Sequence, residues 1–478
     1  MVGKGRSRVA INEGVYVENT LLTTHHSLFW INIMSDPVKL IEPRTLRGFR
    51  DYLPELMIPR EWMLEQARRV YRSYGFAPID TPALEYAEIL LGKGGAESDK
   101  LIYRFRDHGD RDVALRFDLT VPFARFAAQY IAKLGTPFKR YHLGPVWRGE
   151  NTGQGRYREF WQCDFDTIGT TSNAADIEVA LVIHDLLVAL NLDKFRICVN
   201  NRLLLNGVLD QFGMTDKAVP ILHVLDKLPK IKRDATRQEM IEHAGVTAEQ
   251  ANKVLDLAET AGTNAEKLDQ LEKNFGASAH SAEGIRRLRQ LLEATAKAGV
   301  PQERILIDLS ICRGLDYYTG TVYETFLTDL PDYGSVCSGG RYDNLAGLYT
   351  KQSLPGVGAS LGLDRLLAAL EELNLLKSST TPAAVFIVQF TAERVGEYQR
   401  MARVLRAADI GVEVFPDAKK IGQQLQHAEK RGFKLALIAG PDDFARGTWN
   451  VKDLAKREEK KGVPDGEVPA LVRSMLAV

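Results

Sequence analysis

Tyr141-His-Leu-Gly-Pro-Val-Trp147 leads into Arg148-Gly-Glu-Asn-Thr-Gly-Gln-Gly-Arg-Tyr-Arg-Glu-Phe-Trp-Gln162, which is followed by Asp164 and Asp166. Tyr141 to Trp147 reads as one strand and Phe160 to Thr167 as the next. The polar, glycine-containing segment between them reads as the connection of a β-hairpin. A short strand, Val113 to Phe117, comes earlier and ends at Asp118 and Thr120. This part of the chain therefore holds its arginines and carboxylates on or beside ordered elements.

Three further segments have the same character. In Arg313-Gly-Leu-Asp-Tyr-Tyr-Thr-Gly-Thr-Val-Tyr-Glu324 an arginine, a carboxylate and two adjacent tyrosines fall close together, between the apolar run Ile305 to Ile311 and a β-prone tail. A fixed cation beside phenols suits a small polar ligand next to a phosphate. Taken alone, such a cluster is more often structural, because buried tyrosines are usually core residues whose hydroxyl has found a partner. The other two are Ser338-Gly-Gly-Arg-Tyr-Asp343 and Gly356-Val-Gly-Ala-Ser-Leu-Gly-Leu-Asp-Arg365, the latter running into the apolar helix Leu366 to Leu373.

In this order, the four segments resemble the signature motifs of the histidyl-tRNA synthetases, a family of class II aminoacyl-tRNA synthetases. The resemblance runs from about Leu46 to the C-terminus. It implies an α+β fold: an antiparallel sheet flanked by helices, with a helical insertion and a C-terminal α/β anticodon-binding domain. It also implies a ligase that activates L-histidine with ATP, releases pyrophosphate, and passes histidine to the 3′ end of histidine tRNA. Neither step needs a protein nucleophile. Catalysis of this kind is positioning plus stabilisation of charge on phosphate oxygens.

The resemblance carries roles to individual positions. Arg148 would hold the α-phosphate and the reacting carboxylate, its planar fork binding two oxygens at once. Glu150 would accept from the adenine amino group, and Arg156 would reach the terminal phosphates. Phe160 and Arg365 would sandwich the adenine, the cation–π part being worth ~0.5–2 kcal/mol. Arg313 would meet the α-phosphate from the histidine side, where other class II enzymes use a metal ion. Mg²⁺ would accompany ATP, with no dedicated protein metal site. For histidine, Asp166 and Tyr318 would face the ring nitrogens, and Asp118, Thr120 and Gln162 the α-ammonium. Gln162 and Arg313 would orient the carboxylate, while Tyr317 and Tyr342 wall the pocket. Many bacterial members have glutamate at the positions of Asp118 and Asp166, so the acids here are one methylene shorter. A site that hydrogen-bonds its substrate rejects look-alikes by ~10⁴–10⁵, so no editing activity is expected. Asn151 and Gln154 stand where many relatives place cations that read the tRNA acceptor end, which predicts an altered dependence on the extra 5′ guanosine of histidine tRNA.

At 478 residues the chain is long enough for more than one domain. With 62 basic and 62 acidic residues its formal charge is zero, so any tRNA contact must come from local patches. Lys419-Lys420, Lys430-Arg431 and Lys434 are candidates for one. There is no run of apolar residues long enough to suggest a membrane span. Four widely spaced cysteines suggest free thiols in a reducing cytoplasm.

Pro59 to Tyr74 reads as an amphipathic helix with Trp62, Ala67, Val70, Tyr71 and Tyr74 on its buried face. Gly75 stands at the left-handed cap position. The following Phe76 to Leu84 is extended and confined by Pro78 and Pro82 to an edge. In the family this helix and strand form a homodimer interface. The expected domains are residues 34–204 and 301–374 for the two parts of the catalytic domain, 205–300 for the helical insertion, 375–383 for a linker and 384–478 for a βαβ-type anticodon-binding domain. Residues 1–33 match nothing, and Met34 is the expected natural start. They carry Arg6 and Arg8 but also Glu13 and Glu18, which suit no transit peptide.

Two other readings are weaker. Gly358-Ala-Ser-Leu-Gly362 fits the G-x-S-x-G elbow of serine hydrolases, but no buried strand run precedes it and only His427 follows. A non-catalytic regulatory paralogue would be expected to lose parts of the histidine motif or the C-terminal domain. Nine histidines without paired helical spacing argue against a metalloenzyme.

Overall fold

The computed structural model describes residues 40–91, 101–312, 317–376 and 379–476. Residues 1–33, Met34 and Arg313 lie outside the described residues. In chain order the strands of the larger part are β1 Ala77–Pro78, β2 Leu84–Tyr86, β3 Arg104–Arg106, β4 Asp112–Leu115, β5 Phe138–Trp147, β6 Glu159–Ile168, β7 Phe195–Asn201, β8 Ile305–Ile307, β9 Thr321–Leu327, β10 Cys337–Tyr342 and β11 Gly356–Gly362. Eight of them form one sheet in the order β1-β5-β6-β11-β10-β9-β7-β8. The run from β5 to β7 is antiparallel throughout, and only the outermost strands, β1 on β5 and β8 on β7, pair in parallel. The expected hairpin is β5–β6, with Trp147 opposite Glu159 and Phe138 opposite Ile168. A smaller sheet holds β2, β4 and β3.

Side chains on a strand alternate between faces, so register decides what each face carries. Tyr141 of β5, Cys163 and Phe165 of β6, and Val357, Ala359 and Leu361 of β11 belong to one buried apolar cluster. The same cluster takes Met63, Leu64 and Tyr71 from helix Pro54–Ser73, Val179 and Ile183 from helix Asn173–Ala189, and Leu366 and Leu367 from helix Leu363–Glu372. The intervening residues, Arg140 and His142, then Gln162, Asp164 and Asp166, then Gly358 and Ser360, share the opposite face.

The first long helix begins at Pro54, which occupies an opening position where a missing N–H costs nothing. The expected start, Pro59, lies inside it. Its buried face runs through Arg60, Met63, Leu64, Ala67, Val70 and Tyr71, whereas Trp62 is 39% exposed and off that stripe. Gly75 has φ +78, as a left-handed cap requires. β1 is an edge strand, as Pro78 demands.

Helix Thr120–Leu134 has no counterpart in the sequence reading, which stopped at the end of the strand before it. Val121, Phe123, Ala124, Ala127 and Ile131 form its buried stripe. Between residues 202 and 297 the chain is almost wholly helical, from Arg202–Gln211 to Ala279–Lys297. Thr247 with Gln250 and Thr263 with Glu266 form capping boxes that start two of these helices.

The C-terminal strands are β12 Val385–Ile387, β13 Val412–Val414, β14 Leu435–Ile438, β15 Thr448–Asp453 and β16 Glu459–Pro464. They form a sheet of order β13-β12-β14-β15-β16, parallel in its first three strands and antiparallel in the last three. The parallel part is the expected βαβ unit. The β15–β16 hairpin extends it with a strand whose Glu-Lys-Lys-Gly sequence looks like loop; charge of this kind blunts an exposed sheet edge.

Candidate functional site

The site is a patch of strand positions on the face of the large sheet opposite the helix-packed core. Hairpin register sets Arg140 across from Asp166, His142 across from Asp164 and Gly144 across from Gln162. On the other side of β6, Gly358 faces Asp166, Ser360 faces Asp164 and Gly362 faces Gln162. Glycine is needed beside Asp166: a Cβ on Gly358 would come within 2.2 Å of its carboxylate oxygen. One on Gly356 would meet the Tyr342 ring at 2.3 Å. These two positions form a floor on which the acid and the phenol lie.

Asp166 is buried, accepts from the Tyr342 hydroxyl at 2.6 Å, and pairs with the Arg140 guanidinium at 2.6 Å. Asp164 lies 3.8 Å from the same guanidinium. The Ser360 hydroxyl accepts from Gln162 Nε2 at 3.1 Å and also bonds the Asp164 carboxyl. At the start of helix Thr120–Leu134, Asp118 Oδ1 accepts from the Val121 N–H at 3.0 Å, and Thr120 is the first helical residue. The rings of Tyr317 and Tyr318 meet edge to face at 5.0 Å, and Tyr317 meets Tyr342 at 6.0 Å. The structure thus brings together Asp118, Gln162, Asp166, Tyr317, Tyr318 and Tyr342 of the expected pocket.

Burial pushes the Asp118 carboxyl up to about 6 and Asp164 up to about 7, and it raises Asp166 as well. Arg140 opposes the shift in all three. His142 moves the other way, down to about 3, through burial and then the charges of Arg140 and Arg116, so it is neutral at pH 7. Among the described residues, Asp118 Oδ2, Gln162 Oε1, Asp164 Oδ1 and Arg140 Nε and Nη1 are buried without a hydrogen-bond partner. Buried polar atoms are normally satisfied, and a cluster that is not marks a place for a ligand. Three carboxyls against one buried arginine suit a ligand that brings N–H donors and positive charge.

Arg148 stands beside this pocket, where its charge lowers Asp118. Its Nε donates to the Phe117 carbonyl at 2.9 Å, and its guanidinium lies over the Phe160 ring at 5.1 Å. Glu150 is half-buried, and Arg156 is exposed at the hairpin tip, where its backbone bridges Gly153. That tip folds back: Gly155, at φ +63, packs so closely that a Cβ would meet Tyr333 Oη at 2.4 Å and Arg365 Cα at 3.3 Å. Gln154 Nε2 donates to Glu372 Oε2 at 2.9 Å, and Asn151 is exposed. Arg365 lies over the Tyr333 ring at 5.5 Å and donates to the Tyr333 carbonyl.

Sequence reading missed three supporting residues. Arg140 and His142 could have been found by counting pairs outward from the hairpin loop. Asp364 could not, because its partners are remote in sequence: Tyr52 Oη at 2.7 Å, Arg60 Nε at 3.0 Å and the Trp161 N–H at 2.6 Å. It ties the first helix and β6 to the start of helix Leu363–Glu372, which carries Arg365. Arg341 of the Ser338–Asp343 motif is a scaffold residue. It holds Asp176 through Nε at 3.0 Å and through Nη2, and bonds the carbonyls of Thr170 and Ser172 and the Asp343 carboxylate. Ser360 lies within a strand, paired with Ser338 on one side and Asp164 on the other, so it is not on the strand-to-helix turn that an elbow requires.

No group of three or more His, Cys, Asp and Glu side chains among the described residues is arranged to hold a metal ion. A separate cavity of about 700 Å³ at the β7–β8 edge is lined by Arg196, Glu259, Lys267, Glu303 and Asp308 among others, and none of the site residues above lines it.

Residues 48–366 match the family model described as histidyl-tRNA synthetase, and residues 383–475 match an anticodon-binding domain. A histidine–tRNA ligase of Rhodopirellula baltica is 56% identical over 92% of this chain and 99% of its own length. The crystal structure of histidyl-tRNA synthetase from Nostoc sp. PCC 7120 aligns with a TM-score of 0.83 at 34% identity, over 91% of this chain and all of the other. A Bacillus halodurans structure described as an ATP phosphoribosyltransferase regulatory subunit/histidyl-tRNA synthetase shares the fold at 22% identity, with a TM-score of 0.69 over 84% of this chain and 100% of its own.

Proposed function

Because this chain belongs to the histidyl-tRNA synthetase family, and so joins histidine to tRNA with ATP as a substrate, we propose a division of labour across its sheet face. Histidine occupies the acidic end, between the row Gln162, Asp164, Asp166 and the rings of Tyr317, Tyr318 and Tyr342. ATP occupies the neighbouring hairpin end, on Arg148, Glu150, Arg156, Phe160 and Arg365. The carrying observation is the row of buried carboxyls with unpartnered oxygens, one pocket away from the anchored cation Arg148.

A histidine carboxylate oxygen attacks the α-phosphorus, forming a new P–O bond as the bond to pyrophosphate breaks. No proton need move, so the protein's part is to hold both anions against their mutual repulsion. Arg148 does this from the nucleotide side and Arg313 from the histidine side. Anchoring Arg148 through Nε leaves the charge of its fork for phosphate and carboxylate oxygens. Mg²⁺ accompanies the nucleotide. In the second step a ribose hydroxyl of the tRNA attacks the acyl carbon and AMP leaves. Asp166 and Tyr318 take the imidazole nitrogens, while Asp118, Thr120 and Gln162 take the ammonium, whose positive charge adds to that of Arg140 against three carboxyls.

The residues between about 205 and 300 form the insertion, and residues 384–478 the anticodon-binding part. Homodimerisation is supported by the exposed apolar side chains Leu84, Tyr86 and Phe105 on the small sheet. Four buried, unpaired cysteines favour a reducing compartment, the cytoplasm. No described helix is long and apolar enough to cross a membrane.

The test is ATP–pyrophosphate exchange against all twenty amino acids, with Arg313→Ala in parallel. Exchange with histidine alone, abolished in the variant, is the expected result. Folded protein that binds histidine but exchanges nothing would point instead to a regulatory role.

A further inference from the structure

Arg140 is 0% exposed and lies alongside the equally buried Asp164 and Asp166. Its guanidinium lies over the Phe123 ring at 4.4 Å, and Nη2 donates to the Leu119 carbonyl at 3.2 Å. The same nitrogen is the one beside both carboxylates, at 2.6 Å from Asp166 and 3.8 Å from Asp164. Nε and Nη1 have no partner. An arginine that served only to fasten strands together would be badly used here, because burying a guanidinium costs several kcal/mol and is recovered only when its donors are satisfied.

The geometry places it behind the acid that faces the substrate. We infer that Arg140 is a positioning residue for histidine selection, holding Asp166 ionised and in one orientation so that its carboxylate can accept from the imidazole. This rests on the reading above that Asp166 faces the histidine ring. Burial favours the protonated acid, and a protonated Asp166 would offer a hydroxyl where the ring N–H needs an acceptor. The Tyr342 hydroxyl donates to one carboxylate oxygen, and the Arg140 guanidinium stands 2.6 Å from the other, an ion pair that leaves that oxygen without a hydrogen-bond partner. One oxygen is thus held by the phenol, and the other keeps capacity to accept from the imidazole. Asp164 shares the arginine at longer range and is bonded by Ser360, so the two acids face one positive charge.

Arg140→Lys keeps the charge but loses the planar fork. Its histidine KM in pyrophosphate exchange should rise at least about tenfold, with the ATP KM changed by less than about twofold. A purely structural arginine would instead move both constants alike, or neither, and either result overturns the inference. Arg140→Met alone strands two buried acids and can fail to fold, so the companion variant is Arg140→Met with Asp166→Asn, in which both charges are removed. If Arg140 acts through Asp166, this double variant should bind histidine within about twofold of Asp166→Asn alone. Histidine binding weaker than in Asp166→Asn alone by more than about tenfold would overturn the inference, and this comparison decides if Arg140→Lys does not fold. An unchanged histidine KM in Asp166→Asn would refute the assignment of the pocket itself, a different failure.

Discussion

Arg140 and Arg341 are both buried, and both face an aspartate on the same protein, yet their surroundings differ in one respect. Around Arg341 every nitrogen is used: Asp176, Asp343, and the carbonyls of Thr170 and Ser172 take its donors. Around Arg140 two nitrogens, and oxygens of Asp118, Asp164 and Gln162, have no hydrogen-bond partner among the described residues. The first cluster is complete as it stands and holds β10 to helix Asn173–Ala189. The second keeps donors and acceptors to spare, which supports the reading of it as the ligand pocket.

The comparison can be broken most forcefully at Arg341. Arg341→Met should destabilise the fold by about 3–5 kcal/mol, since it leaves Asp176 buried and unpaired. Urea denaturation would read this directly. A loss below about 1 kcal/mol would mean that the satisfied cluster carries less of the fold than its bonds imply.

A smaller effect should distinguish the unsatisfied cluster. Asp164 titrates near its ordinary value when unfolded but at about 7 in the fold, chiefly through burial. Between these values the folded protein holds a proton that the unfolded chain has released. Stability from this group is thus present at low pH and lost as pH rises towards 7. Asp164→Asn, which mimics the protonated form, should flatten the decline by up to about 1.4 kcal/mol per pH unit. Denaturation midpoints between pH 4.5 and 7.5, with and without the substitution, would check it. A slope that does not change would remove Asp164 from the account.

The smallest effect is expected at the hairpin tip, where the Gln154–Glu372 bond is a single contact at the surface. Gln154→Ala should change stability by no more than about 1 kcal/mol and leave pyrophosphate exchange intact. Charging of tRNA transcripts with and without the extra 5′ guanosine would then show whether this position contributes to acceptor recognition. A large wild-type loss on removing the guanosine would contradict the altered dependence expected from Asn151 and Gln154.

The hairpin, the acidic residues after it and the tyrosine pair were legible because each is a local pattern. Arg140 was not, since its importance comes from lying opposite Asp166 across a loop, and strand pairing has to be counted to see it. Helix Thr120–Leu134 went unread although it carries a buried stripe at helical spacing, and its Pro122 sits in the first turn, where proline is tolerated. Trp62 was placed on the buried face by its spacing from Ala67, Val70 and Tyr71, while the stripe passes through Met63 and Leu64 instead. Asp364 depended on Tyr52 and Arg60, about three hundred residues away, and no local pattern reports that.

The alternation along β6 also governs which length changes this enzyme can absorb. Substituting one pocket residue alters one contact. Inserting or deleting a single residue between Gln162 and Asp166 would turn Asp166 into the apolar core and bring Phe165 into the pocket, two errors from one event. The turn from Gly153 to Arg156 lies beyond the last strand pair, so a length change there leaves the alternation of β5 and β6 intact. Its cost falls instead on the packing of Gly155 against Tyr333 and Arg365.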